Sequence, residues 1–182
     1  MLLLFVDDTK VFRKIQGVND EIFLQQDLDS LVKWTKKCGM KFNAEKCEVM
    51  STAHSSSYEY KFDGVKLQQV LQERDLGVDV TSSLKPSAQC SKAVASVMRV
   101  LGIIRRNFVI SDKEDFRLLF SGFMRPHLEY CVQVWSPYMK KDIELIERVH
   151  RRATKLVKGL KFKSYKERLS AFRSSKEGYE EI

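Results

Sequence analysis

The sequence predicts an α+β protein in which a mixed first part gives way to an all-helical second part, and three observations carry that expectation. Residues 1–80 hold short apolar runs with strand-like alternation, punctuated by turn signals such as Asp63-Gly64. Beyond Thr81-Ser82-Ser83 and Pro86, apolar residues recur at helical spacing instead. Charge also divides along the chain. Residues 1–90 carry 12 Lys and Arg against 13 Asp and Glu, whereas residues 91–182 carry 20 against 11. The first half is close to neutral and the second is strongly basic.

The first element is a β-hairpin within the first sixteen residues, where the apolar run Leu2-Leu3-Leu4-Phe5-Val6 leads into Asp7-Asp8-Thr9-Lys10 and then Val11-Phe12. Two adjacent carboxylates at its tip repel unless water or a cation lies between their oxygens. On spacing alone, the pair fits either a solvated turn or a magnesium site. Gly17 breaks the pattern, and Asn19-Asp20-Glu21 supplies an N-cap with acids in the first turn. Leu24, Leu28, Leu31, Val32 and Thr35 then recur at helical spacing, Lys36 and Lys37 fill the last turn, and Gly39 sits at C′. This helix, about 27 Å long, is expected to cover one face of a sheet.

Cys47-Glu48-Val49-Met50 reads as a short strand and His54-Ser55-Ser56-Ser57 as a solvated loop. Tyr58 to Phe62, Asp63-Gly64 and Val65 to Leu67 form the best hairpin signal, because Asp-Gly suits the positive dihedrals of a type I′ turn. Leu76-Gly77-Val78-Asp79-Val80 reads as one more strand. In the second part, Val94, Val97, Met98, Leu101 and Ile104 mark a helix from Ala93 to Phe108. Ser111-Asp112 caps another through Phe116, Leu119, Phe120 and Phe123. Pro126 interrupts or restarts it, and Pro137 ends the aromatic stretch of Tyr130, Val134 and Trp135. A last helix, from about Lys141 to Leu160, carries Ile143, Ile146, Val149, Ala153, Val157 and Leu160 on one face. Arg148, Arg151, Arg152, Lys155 and Lys158 occupy its other arc. Residues 170–182 are polar, without periodicity, and are expected to fray.

With 43% hydrophobic and 31% charged residues, the composition is globular. No run of about 18 apolar residues exists, so no transmembrane helix is expected, and the run from Met1 to Val6 is too short for a signal-peptide core. A cytoplasmic or nuclear protein, not a secreted one, is the expectation. Cys38, Cys47, Cys90 and Cys131 lie far apart, which indicates neither a zinc site nor a disulfide framework. The basic second half points to an anionic partner, nucleic acid rather than membrane, because its cations are mixed with a core-forming apolar pattern.

Taken in order, these signals resemble the reverse transcriptases of non-LTR (LINE-type) retrotransposons, from about residue 2 to residue 169. The resemblance is carried by the carboxylate hairpin, the covering helix with Trp34, Gly39-Met40-Lys41-Phe42-Asn43-Ala44-Glu45-Lys46-Cys47, the Tyr-rich Asp-Gly hairpin and Asp75-Leu76-Gly77-Val78. Its most specific parts are Arg125-Pro126-His127-Leu128-Glu129-Tyr130-Cys131-Val132-Gln133-Val134-Trp135-Ser136-Pro137 and Ile146-Glu147-Arg148-Val149-His150-Arg151-Arg152-Ala153. The resemblance implies a partial palm over residues 1–82, a thumb-like helical region over 83–169 and a tail over 170–182.

It further implies that Phe5-Val6-Asp7-Asp8 is the aromatic-x-Asp-Asp motif of an RNA-directed DNA polymerase. Asp7 and Asp8 would be catalytic and ligate Mg2+, since two ions clamp the attacking 3′-oxygen and the leaving pyrophosphate in nucleotidyl transfer. Lys46 matches the lysine that supplies a proton or charge to pyrophosphate; a solvated turn lysine is the alternative. Tyr60 to Val78, with Gly64, Leu76 and Gly77, resembles the hairpin that grips the primer. Arg148, Arg151, Arg152 and Lys155 would hold the RNA or DNA template-primer backbone. The family's first catalytic carboxylate lies on a strand well upstream of the Asp-Asp hairpin, and only six residues precede Asp7 here. The expectation is therefore a truncated, catalytically incomplete protein with weak Mg2+ binding, non-specific nucleic-acid binding and self-association through unpaired palm strands. Alternatives are a subunit active in trans or in a longer product, and a non-catalytic protein-interaction module that retains the fold.

Overall fold

The computed structural model describes residues 2–5, 8–52 and 58–173. With 57% helix and 12% strand it is a mixed helix-and-strand protein, as expected. The chain divides into two compact units, residues 1–73 and 74–182.

In the first unit, β1 (Leu2–Phe5) and β2 (Asp8–Val11) pair antiparallel, Leu2 with Val11 through Phe5 with Asp8. The expected hairpin is present, and Val6 and Asp7 lie outside the described residues. The helix α1 (Val18–Cys38) is capped by Gly17 rather than by Asn19. The physical reason is Asp20, whose carboxylate accepts from the backbone N–H groups of Gln16 at 2.8 Å and Gly17 at 3.2 Å. Gly39 ends α1 at φ +69, where a left-handed residue suits glycine. Leu24, Leu28, Leu31 and Val32 pack on a small core of Tyr60, Phe62 and Leu67.

That core is presented by β4 (Lys61–Phe62) and β5 (Val65–Lys66), joined through Asp63 and Gly64 at φ +47 and +83. Gln25 of α1 acts as a surrogate strand, donating to the Lys61 carbonyl at 2.8 Å and accepting from the Lys61 N–H at 2.9 Å. The strand expected over Cys47–Met50 shortens to β3 (Glu48–Val49) and pairs parallel with β6 (Gln68–Gln69), not in an antiparallel hairpin. The bond from Val70 N–H to the Val49 carbonyl continues this pairing. Among the described residues the strands form separate two-stranded sheets rather than one continuous sheet.

The chain enters the second unit at a hairpin of β7 (Gln72–Asp75) and β8 (Val78–Thr81). Leu76 and Gly77, read from sequence as strand, are its turn, at φ +45 and +84. Helix α2 (Ser87–Asn107) starts six residues earlier than its apolar period suggested, because Pro86 occupies the cap. Asp112 caps α3 (Lys113–Leu119) as expected, accepting from the N–H groups of Glu114 and Asp115 at 2.9 Å each.

A π-helical stretch, Phe120–Met124, leads into α4 (Arg125–Glu129). Pro126 has no N–H and its ring crowds the preceding turn, so a widened turn just upstream accommodates it without ending the helix. After α5 (Val132–Trp135), α6 (Lys140–Ala153) packs on α2, and Val97, Leu101 and Ile104 join Val149 and Ala153 in one core. The helix expected to reach Leu160 stops at Ala153. There the Thr154 hydroxyl donates to the His150 carbonyl at 3.0 Å, a 3-10 turn follows, and Gly159 adopts φ +79. Ile143, placed inward by its spacing, is exposed, while Asp142 is buried and accepts from the Ser87 hydroxyl at 2.7 Å. The final helix α7 (Tyr165–Arg173) contains Ser170 to Arg173, which corrects the expected fraying there: Phe172 packs against Phe116, with ring centres 5.1 Å apart and planes tilted by 42°.

Candidate nucleic-acid interface

The residues singled out from sequence divide between the two units. In the first, Asp8 begins β2 opposite Phe5, and Asp7 lies outside the described residues. Lys46 is exposed at the end of the 3-10 turn Ala44–Lys46, which Asn43 caps by accepting from the Glu45 N–H at 3.2 Å. Gly64 is exposed at its turn, where Lys36 pairs with Asp63 at 2.9 Å. Leu76 and Gly77 belong to the second unit, so the single grip hairpin expected from Tyr60 to Val78 is two hairpins. Tyr130 donates its hydroxyl to the Leu76 carbonyl at 2.8 Å, and a Cβ at Gly77 would meet its ring at 3.3 Å. Glycine is needed at this turn for both φ and space.

The other four lie together. Arg148, Arg151 and Arg152 are exposed on the last two turns of α6, and Lys155 follows in the 3-10 turn. Arg148 and Arg152 are four residues apart, hence on one side of the helix about 6 Å apart along its axis. The Arg152 guanidinium rests 4.0 Å from the Met98 sulfur of α2. Arg151 turns the other way, its guanidinium over the Tyr165 ring at 5.2 Å. Among the described residues none of these four cations is paired with a carboxylate.

What surrounds them extends the charge. From Arg148 to Lys166 the sequence contains eight Lys and Arg and no Asp or Glu, and Val80 to Ser111 contains five and again none. The α2–α6 packing brings these two acid-free stretches together. On α2, Met98, Arg99, Gly102, Ile103, Arg105 and Arg106 line an open groove of about 680 Å³. Gly102 leaves its floor bare, with nothing within 4 Å of a Cβ built there. The α2 arginines share their helix with a strong apolar period, which marks its core face and not its charge. The acid-free run around them is the signal that marks them.

A second feature was hidden from sequence. Arg168 is 3% exposed and its charge meets carbonyls rather than a carboxylate. It donates to the Lys163 carbonyl at 2.5 Å, the Thr154 hydroxyl at 3.0 Å and the Arg151 carbonyl at 3.4 Å, and its guanidinium lies 5.5 Å from the Tyr165 ring centre. Arg168 therefore ties the C-terminal end of α6 to the loop that follows. Burial, and then the hydrogen bond to Glu147, push the Tyr165 hydroxyl up to about 12. In chemical terms the second unit presents a row of guanidinium and ammonium groups that outnumber the unburied acids of α6, Glu144 and Glu147, an arrangement that attracts phosphates.

No family model matches the chain, and neither a curated protein nor a solved structure matches it significantly. Among the described residues no helix is long and apolar enough to cross a membrane, and no group of three or more His, Cys, Asp or Glu could hold a metal ion.

Proposed function

We propose that the chain binds the phosphate backbone of RNA or DNA through its helical unit, without reading sequence, as a protein of the reverse-transcriptase type. The observation that carries the binding is the exposed cationic face at the end of α6 and in the 3-10 turn after it, where Arg148, Arg152 and Lys155 stand without carboxylate partners among the described residues. The 6 Å axial step from Arg148 to Arg152 is near twice the 3.4 Å rise per phosphate of one strand. Lack of sequence readout follows from the contacts being to backbone charge. The polymerase assignment rests on the motif resemblance. By it the first unit would be part of a palm and the second a thumb, Asp7 and Asp8 would hold Mg2+, and Lys46 would face the pyrophosphate.

The test is titration of a labelled DNA duplex at several salt concentrations. If about three to five phosphates are contacted, a fourfold rise in salt weakens binding roughly 40- to 500-fold, because each contact releases condensed counterions. Replacing Arg148, Arg151, Arg152 and Lys155 with Gln flattens that slope while preserving helix propensity. An isotherm unchanged by these four substitutions, or one that distinguishes sequences of equal length, refutes the proposal. A second reading, a protein-interaction module, draws on the exposed Val18, Ile22, Phe23 and Trp34 of α1. Self-association through the edges of the two-stranded sheets among the described residues belongs instead with the incomplete palm of the first reading. Salt-insensitive, weak binding to nucleic acid would favour the protein-interaction reading.

A further inference from the structure

Phe162 is 95% exposed, more than any other large apolar side chain among the described residues. A single exposed apolar residue is ordinary, but this one is held out by a braced loop. Lys158 N–H donates to the Ile110 carbonyl at 3.1 Å, Leu160 N–H to Val157 and Lys163 N–H to Leu160, each at 3.1 Å. Leu160 is buried in the core, Gly159 takes φ +79, and the buried Arg168 grips the Lys163 carbonyl. The backbone of this loop is thus fixed on both sides of Phe162. Its neighbours in sequence are exposed lysines, and the Lys161 ammonium lies 5.5 Å from the ring centre. The bond to Ile110 joins the loop to a second exposed apolar segment, Phe108 at 49% and Val109 at 86%, which follows Arg105 and Arg106 at the end of α2.

We propose that this end of the helical unit is a single-strand site, in which Phe162 stacks an unpaired base while Lys158, Lys161 and Lys163 hold the flanking phosphates. The inference rests on the backbone-binding function proposed above and adds the form of nucleic acid that is preferred. An exposed ring on a braced backbone, set among three lysines with Glu167 as the acid beside them through its bond to the Ser164 N–H at 2.7 Å, matches how single strands are bound, by stacking on aromatic faces along a basic track. In a duplex the bases are already stacked and present no free face to the ring. The cations also continue from the loop along α6 for two further turns, to Arg148, rather than circling the apolar tip. A linear track suits a strand better than the flat surface of a lipid bilayer.

The experiment compares binding of the full chain to a labelled DNA single strand and to the duplex of the same sequence, with vesicles of anionic lipid in parallel. Phe162→Ala is expected to weaken single-strand binding about 5- to 150-fold and to leave duplex binding unchanged. Phe162→Trp is expected to restore it, with indole fluorescence quenched on binding the single strand. Because the side chain is almost wholly exposed, both variants should melt like the parent; if Phe162→Ala does not, the Trp variant still decides. Single-strand binding unaltered by Phe162→Ala overturns this inference alone and leaves the duplex titration standing. A loss confined to vesicle binding overturns it in favour of a membrane. A parent chain that binds neither form of DNA removes both this inference and the backbone reading beneath it.

Discussion

Replacing Arg168 with Met and with Lys separates two accounts of a buried cation. The native guanidinium makes two short charge-assisted hydrogen bonds, to Lys163 and Thr154, and a long one to Arg151. Hydrogen bonds to charged groups contribute about 1.5–3 kcal/mol each, net of the bonds to water they replace. Against them stands the desolvation of a charge with no carboxylate beside it among the described residues, several kcal/mol by general experience. Met of similar length removes both sides of this balance and fills the space with apolar surface. What Met cannot repair is the Lys163 carbonyl left without its donor, about 1–3 kcal/mol; Thr154 keeps its own bond to His150. Arg168→Met is therefore expected to destabilise the helical unit by about 2 kcal/mol, some 8–16 °C in melting temperature for a unit near 100 residues. Lys keeps the charge and the desolvation but not the planar fork that reaches three acceptors at once. Arg168→Lys should thus be at least as damaging as Arg168→Met. Thermal melts followed by circular dichroism give the ranking. A Lys variant close to the parent, or a Met variant more stable than it, would show that net charge or simple packing, not the three-acceptor geometry, governs this position.

Gly77→Ala is expected to lower stability by about 2–3 kcal/mol, through the left-handed turn and the displaced Tyr130 hydroxyl bond to Leu76. Gly64→Ala, with open space around it, should lower stability by only about 1 kcal/mol; chemical denaturation giving equal losses would refute the steric part. Because the Tyr165 hydroxyl is raised to about 12 from an ordinary value near 10, its contribution to stability is complete below about pH 10 and fades as pH climbs to about 12. Tyr165→Phe should flatten the alkaline melting profile in that window and delete the highest step of the tyrosinate absorbance titration; an unaltered titration would place the raised hydroxyl elsewhere. Under the polymerase resemblance the 182-residue chain is expected to bind Mg2+ no tighter than about millimolar, since affinity follows the number of charged oxygen ligands. It is also expected not to extend a primer. Templated incorporation abolished by Asp7→Ala would overturn that expectation.

Features governed by neighbours within one turn of chain were legible in the sequence. Asp63-Gly64 forms its left-handed turn because few other pairs tolerate those dihedrals. Asp112 caps α3 because its carboxylate reaches N–H groups two and three residues on. The α6 arginines face solvent because the apolar stripe of Val149 and Ala153 must face α2. The same local rules failed wherever a remote group competed. Leu76-Gly77 has the composition of a strand, yet it turns, with a tyrosine more than fifty residues away bonded to its carbonyl. Asn19 looks the better cap, but Asp20 is the residue whose carboxylate reaches the free N–H groups. Ser170 to Arg173 read as polar tail until Phe116 supplies a ring for Phe172.

The candidate interface divides in the same way. Its cations were countable from sequence because charge requires no fold to be recognised, and the place of Arg148 and Arg152 on one side of α6 followed from helical period. The recruitment of Arg99, Arg105 and Arg106 on α2, the burial of Arg168 and the exposure of Phe162 were decided only by tertiary structure. Each depends on which distant segments pack together: α2 on α6, the loop after α6 on the Ile110 carbonyl, and Arg168 on acceptors five to seventeen residues before it. A lysine-flanked phenylalanine carries no local instruction to be outside, and an arginine none to be inside. Those placements come from the backbone hydrogen bonds and core contacts that the whole second unit must satisfy together.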